Sequence, residues 1–175
     1  MAQESNFRIT ASGPVGFDCW EGGGFPNCDP MIFKIFGTAP ATGTFVGKQA
    51  TFETVEKATP QPPTYAQNDV DGHAVVTRKN GDKLYIHYTG QSPAPGPDET
   101  GVGHLNDDLG FVIEGGTGRF ENATGSGRLT ATGDVYYDER PTVVSSELKG
   151  TINLKPRDHA DDDDDDLDDD DYGED

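Results

Sequence analysis

Apolar and polar residues alternate one by one along much of this chain, the period of a strand with one buried face and one solvated face. Phe7, Ile9 and Ala11 oppose Arg8, Thr10 and Ser12. Met31 to Gly37 (MIFKIFG) is a dense apolar run, followed by the turn sequence APATG. Thr44 to Lys57 alternates again, with Phe45 and Gly47 marking a bend before a longer strand. Gly72 to Arg78 and Lys83 to Gly90 predict a hairpin across Lys79-Asn80-Gly81-Asp82, where Asn80-Gly81 is a turn signal of the primed type. Phe111 to Glu114, Gly127 to Tyr137 and Val143 to Leu154 complete the strand set. The proline-rich stretch from Pro60 to Asp71 reads as an irregular connection, and Gln91 to Asp108 as a long flexible loop.

No segment sustains a helical period. About eight strands joined by short turns predict an all-β chain, either a sandwich or a closed barrel. Closure is the more economical solution, because it leaves no edge strand with unpaired backbone groups. The expected organisation is an unstructured arm over 1–6, one eight-stranded antiparallel β-barrel over 7–155, and a disordered tail over 156–175.

The segment from Gly115 to Val135 (GGTGRFENATGSGRLTATGDV) is the most distinctive in the chain. Its glycines fit positions where the backbone takes positive φ or where strands approach too closely for a side chain. It is no phosphate cradle, since Lys and Ser/Thr do not follow in P-loop order and no helix starts there. Gly115, Gly116, Gly118, Arg119, Phe120, Asn122, Ala123, Gly125 and Gly127, closed by Gly150-Thr151-Ile152, resemble the barrel shared by allene oxide cyclases and plant dirigent proteins. Secreted bacterial relatives of unknown role show the same pattern. The resemblance covers about 7–155 and implies an eight-stranded antiparallel barrel, lipocalin-like in outline, often a dimer or trimer in the plant members. It also implies an apolar lumen in which a reactive intermediate is steered. No lumenal polar residues of the family map onto this chain position by position.

At 175 residues the chain has the length of one domain with a real core. Its net charge of −19 is unevenly spread. Pro156 to Asp175 carries thirteen carboxylates and one arginine, leaving −7 for the rest. Such a chain repels nucleic acid and anionic membrane surfaces and attracts cations. No apolar run approaches the roughly 20 residues of a membrane-spanning helix. Ala2-Gln3-Glu4 resembles the residues left after signal cleavage, with Met1 as an added start. A secreted or periplasmic location is therefore expected, or a cytoplasmic one if Met1 is native. Cys19 and Cys28 support the first reading. They are read as a disulfide around a compact loop, contributing about 2–3 kcal/mol, with two free buried thiols as the alternative. Two cysteines without a nearby histidine cannot fill a zinc site.

Candidate chemistry is sparse. In Lys83 to Tyr88, Leu84, Ile86 and Tyr88 share one face, and Tyr85 and His87 the other. If the Tyr85 face lines the lumen, Tyr85 and His87 form a proton-transfer pair, since imidazole suits acid–base work near neutral pH. The plainer reading puts His87 on the outer wall. Glu114 is either the single lumenal carboxylate or an exposed strand residue. Glu53 and Glu56 lie on opposite faces and cannot act as a pair. His73 and His104 fall at loop margins with no ligand partner at metal spacing. Asn106-Asp107-Asp108 is read as a small acidic cluster capping a strand turn. Phe45, Phe52 and Phe111 are expected to line any apolar ligand site. No cofactor is expected beyond weak Ca²⁺ binding by Asp161, Asp162, Asp163, Asp164, Asp165, Asp166, Asp168, Asp169, Asp170 and Asp171, which supply carboxylate oxygens without the turn of an EF-hand.

The functional expectation is a secreted barrel that binds a small apolar ligand or a partner protein surface, with a tail that attracts cations. One alternative is a cyclase or isomerase acting in the lumen on an unsaturated lipid or polyketide. The other is a matrix or mineral-associated protein in which the tail is the working part.

Overall fold

The computed structural model describes residues 3–138 and 140–156. The aspartates assigned to weak cation binding lie outside the described residues. The described residues form ten strands: β1 (Gln3–Cys19), β2 (Gly22–Gly24), β3 (Asn27–Asp29), β4 (Phe33–Gly43), β5 (Gly47–Pro60), β6 (Gln67–Thr77), β7 (Lys83–Pro93), β8 (Val102–Gly116), β9 (Thr124–Tyr136) and β10 (Thr142–Leu154). Eight of them close an antiparallel barrel in the order β1-β10-β9-β8-β7-β6-β5-β4, while β2 and β3 form a separate hairpin. The expected all-β barrel is thus present.

Alternation decides which side chains point inward. In β6, Asn68, Val70, Gly72, Ala74 and Val76 are buried, whereas Asp69, Asp71 and His73 face solvent. The strands run longer than the apolar pattern predicts. Gln3 pairs with Leu154, so residues 3–6, expected to be an unstructured arm, belong to the barrel wall. The loop expected over Gln91 to Asp108 shrinks to 94–101, because β7 continues to Pro93 and β8 starts at Val102. Gly103 and Asp107 occupy inward positions there alongside Leu105 and Leu109, and this weakens the apolar signal. The turn after β6 is also wider than the Asn80-Gly81 signal implies. The Arg78 amide donates to the Asp82 carbonyl at 2.8 Å and the Gly81 amide to the Arg78 carbonyl at 2.9 Å. Asp82 in turn accepts the Arg119 amide of the neighbouring turn at 3.1 Å, so tertiary contact selects the wider form.

One row of facing residues sets the interior. It runs from Phe7 through Gly150 and Gly127 to Phe111, then through Tyr88, Gly72 and Glu56 to Ile35 and Phe17. It returns to β1 ten residues beyond its start, the stagger that a tilted, closed sheet requires. Large side chains on this row stand over glycines. Phe7 and Phe111 meet edge to face at 5.9 Å across the Gly150–Gly127 pair. A Cβ on Gly127 would come within 2.7 Å of the Gly150 Cα and 2.8 Å of the Phe111 ring. Gly116, Gly125, Gly127 and Gly150 are therefore spacers between strands, while Gly115 and Gly118 serve the turn through their positive φ of 98° and 55°.

The two ends of the barrel differ. At the end where Gln3 and Leu154 meet, the connections are the short turns 44–46 and 78–82 and the 3-10 turn Gly118–Phe120, whose Phe120 is fully buried. That half is filled by the buried side chains of Phe7, Ile9, Leu84, Ile86, Ile113 and Ile152. The opposite end carries the connections 20–32, 61–66, 94–101 and 137–141, the first of them the longest in the barrel. There the Cys19–Cys28 disulfide ties the β2–β3 hairpin to the end of β1. Phe25 of that hairpin stacks on Phe17 at 5.6 Å and meets Phe33 edge to face at 5.9 Å.

Replacing Gly127 by Ala is expected to destabilise the protein by about 1–3 kcal/mol, because backbone and ring must both give way. Gly110 is the internal control: it lies on the same sheet, but a Cβ there has nothing nearer than 3.6 Å. Gly110→Ala should stay within about 0.5 kcal/mol of the parent. Paired urea denaturation curves of the two variants check this.

Candidate functional site

β5 turns Ala50, Phe52, Thr54, Glu56 and Ala58 toward the interior, so Glu56 enters the barrel by parity with Phe52. Two strands away, Tyr88 points into the same space and its hydroxyl donates to Glu56 Oε2 at 3.1 Å. Gly72 lies between them, facing Glu56 on one side and Tyr88 on the other. A side chain at Gly72 would occupy the space of the Tyr88 phenol, so the glycine makes the Tyr88–Glu56 contact sterically possible. Asp107 of β8 is also buried, and the Ser92 hydroxyl donates to its Oδ1. These groups lie at the looser end of the barrel. Glu56, Tyr88 and Asp107 share a cavity of about 50 Å³ with apolar walls that include Val15, Leu105, Leu129 and Val144.

The electrostatics follow from this placement. Glu56 is half-buried and lines the cavity. Burial, and next the nearby charge of Asp107, push its pKa up to about 7, while the Tyr88 hydrogen bond acts in the opposite direction. Burial also raises Asp107, against the Ser92 hydrogen bond. Tyr88 is pushed well above the usual phenol value, first by burial and then by Glu56. Near neutral pH Glu56 therefore exchanges a proton readily beside a phenol that keeps its own. That pairing suits general acid–base chemistry.

Tyr85, His87 and Glu114 lie on the outer wall, because β7 turns Leu84, Ile86 and Tyr88 inward. The conditional lumenal pair of Tyr85 and His87 is corrected accordingly. His73 also departs from expectation. It lies within β6, not at a loop margin, and its ring stacks on His87 at 4.5 Å, with Asp71 and Glu114 alongside. Phe52 and Phe111 point inward and are buried. Phe45 sits instead in the β4–β5 turn, with φ 66° and the Arg119 guanidinium 5.1 Å from its ring centre. It is remote from the cavity lining.

His104 lies in β8 between Asp98 and Asp134, 2.9 Å from each. Its pKa is raised, first by Asp98 and then by Asp134, and the contact fastens the 94–101 loop to the wall. Glu56, Tyr88 and Asp107 are the candidate-site residues that the sequence reading missed. Their signal was parity: Glu56 shares a face with Phe52, and Asp107 sits between Leu105 and Leu109 in strict alternation. No protein-family model, curated protein or solved structure matches the chain.

The Glu56 shift has a definite thermodynamic sign. Its folded pKa of about 7 lies above the 4.5 of a free glutamate, so folding favours the protonated form. That contribution is complete below the unfolded value and is lost as pH rises through the folded one. Glu56→Gln, which mimics the neutral acid, should match the parent near pH 4.5. It should exceed the parent above pH 7 by on the order of 3 kcal/mol. Denaturant titrations of both proteins across this range measure the difference directly.

Proposed function

We propose that the looser half of the lumen is a proton-transfer site and that the protein is an isomerase or cyclase acting on a small, uncharged, unsaturated carbonyl compound of lipid or polyketide type. The observation that carries this reading is a carboxyl group with a pKa of about 7, held by a phenol, in an apolar-walled cavity. Glu56 as carboxylate removes a proton from the carbon next to the carbonyl. Tyr88 shifts its hydrogen bond from Glu56 to the developing enolate oxygen. The protonated Glu56 then returns the proton to the far carbon of the conjugated system, so the double bond moves and no co-reactant is consumed. A space of about 50 Å³ holds one or two waters at most. The substrate therefore places its reacting end there and leaves the rest among the loops at the mouth. The resemblance to allene oxide cyclases and dirigent proteins supports the same class of chemistry.

The Cys19–Cys28 disulfide supports an oxidising, secreted or periplasmic setting. Weak Ca²⁺ capture by the aspartate tail and assembly into a dimer or trimer remain parts of the same proposal.

The test is turnover of a panel of β,γ-unsaturated ketones, followed by the ultraviolet absorbance of the conjugated product and by deuterium uptake from D₂O. Glu56→Gln should lower turnover by about 10²- to 10⁴-fold, and Tyr88→Phe by less. His87→Ala should leave it unchanged. Equal activity of parent and Glu56→Gln would remove Glu56 as the catalyst. Stoichiometric binding without isotope uptake would favour the plain ligand-binding barrel.

A further inference from the structure

On the outer wall, three adjacent strands bring two histidines and two carboxylates together. His73 of β6 and His87 of β7 are direct register partners, and their rings stack at 4.5 Å with only 7° between the planes. Asp71, two residues before His73 on the same face, places Oδ1 2.7 Å from His87 Nε2. Glu114 of β8 closes the opposite side, with one oxygen 3.6 Å from His87 Nδ1 and the other 3.8 Å from His73 Nδ1. One ligand atom each from Asp71, His73 and His87 can be chosen so that all lie within 4.8 Å of one another.

We propose that Asp71, His73 and His87 form a binding site for a divalent transition metal of the zinc class, independent of the lumenal carboxyls, with Glu114 beside the histidine Nδ1 atoms as the outer carboxylate that orients the rings. The donor set is the first reason. Two imidazoles with one carboxylate suit Zn²⁺ and its first-row neighbours, whereas Ca²⁺ prefers six to eight oxygens. Geometry is the second. Around a tetrahedral Zn²⁺ with bonds of about 2.0–2.1 Å, donor atoms sit roughly 3.3 Å apart. The donor atoms of Asp71, His73 and His87, within 4.8 Å of one another, have to close by about 1.5 Å, a distance in the range of side-chain rotation at the exposed Asp71 and His73. Charge is the third. Two carboxylates flank two imidazoles, so an incoming dication offsets the carboxylate charge and is held by neutral histidines. Asp71, His73 and Glu114 are well exposed and His87 about a third exposed, so the site keeps an open coordination position toward water.

The experiment uses the full chain with Cu²⁺ as a spectroscopic probe and Zn²⁺ for affinity. Tail aspartates offer only oxygen, so the nitrogen hyperfine structure in the Cu²⁺ electron paramagnetic resonance spectrum isolates imidazole ligation. The parent should show coupling to two imidazole nitrogens, and His73→Ala/His87→Ala should lose it. Zn²⁺ affinity by calorimetry should fall by about 100-fold or more in that double variant. Asp71→Asn and Glu114→Gln, which keep shape and surface, should each weaken it by at least about tenfold. His104→Ala and His159→Ala should leave both readouts unchanged. The proposal is overturned if the double variant, folded by circular dichroism, retains the two-nitrogen spectrum or parent affinity. It is equally overturned if the signal disappears with His104→Ala or His159→Ala instead.

Discussion

Room inside the barrel is the constraint on which the rest of this structure depends. An eight-stranded barrel is just wide enough for its inward side chains to fill it, so the largest groups at its middle need small ones beside them. Gly150 and Gly127 supply that space for Phe7 and Phe111, and Gly72 supplies it for Tyr88. The first pair yields a dry edge-to-face contact that fills the middle of the core. The Gly72 gap instead lets a phenol cross a strand and reach a carboxylate. The same packing device gives stability at one point on the row and a polar contact at another.

What separates those outcomes is the neighbourhood. Toward the end with short turns, inward positions are taken by isoleucine, leucine and phenylalanine, and Phe120 plugs the opening. Toward the opposite end, Glu56, Ser92 and Asp107 replace them, and packing leaves a cavity. Burying carboxyls is unfavourable, and the upward shifts at Glu56 and Asp107 express that cost. A barrel that needed only stability would be better served by apolar residues at these positions. That contrast within one interior motivates the functional reading of the site.

The architecture was legible because strand alternation and turn glycines act locally. Phe7, Ile9 and Ala11 announce the face of β1, and the glycine-rich turn announces the β8–β9 corner. Barrel closure and the disulfide followed from edge avoidance and a short cysteine spacing. The candidate site was harder to read because its residues meet only through closure. Glu56, Tyr88 and Asp107 come from β5, β7 and β8, and no sequence spacing relates them. Asp107 lies within an acidic triplet that resembles a loop, and Gly103 and Pro93 hide the strand ends around it. His87 drew attention for its chemistry, yet the inward parity of Leu84, Ile86 and Tyr88 already assigned it to the outer wall.

The tripeptide Asp71-Gly72-His73 shows how far parity governs this molecule. Gly72 points inward and vacates the space in which Tyr88 meets Glu56, while its two neighbours point outward toward His87. A slip of one residue in β6 would turn Asp71 and His73 into the core and expose Val70, Ala74 and Val76. Both clusters would be lost together. The lumenal pair and the outer cluster therefore rest on one register, fixed by the apolar residues of β6 and by the continuous pairing from Gln67↔Pro93 to Thr77↔Lys83. Chemistry on the two faces of the wall is separate in space, but it is held in place by the same hydrogen-bonded ladder.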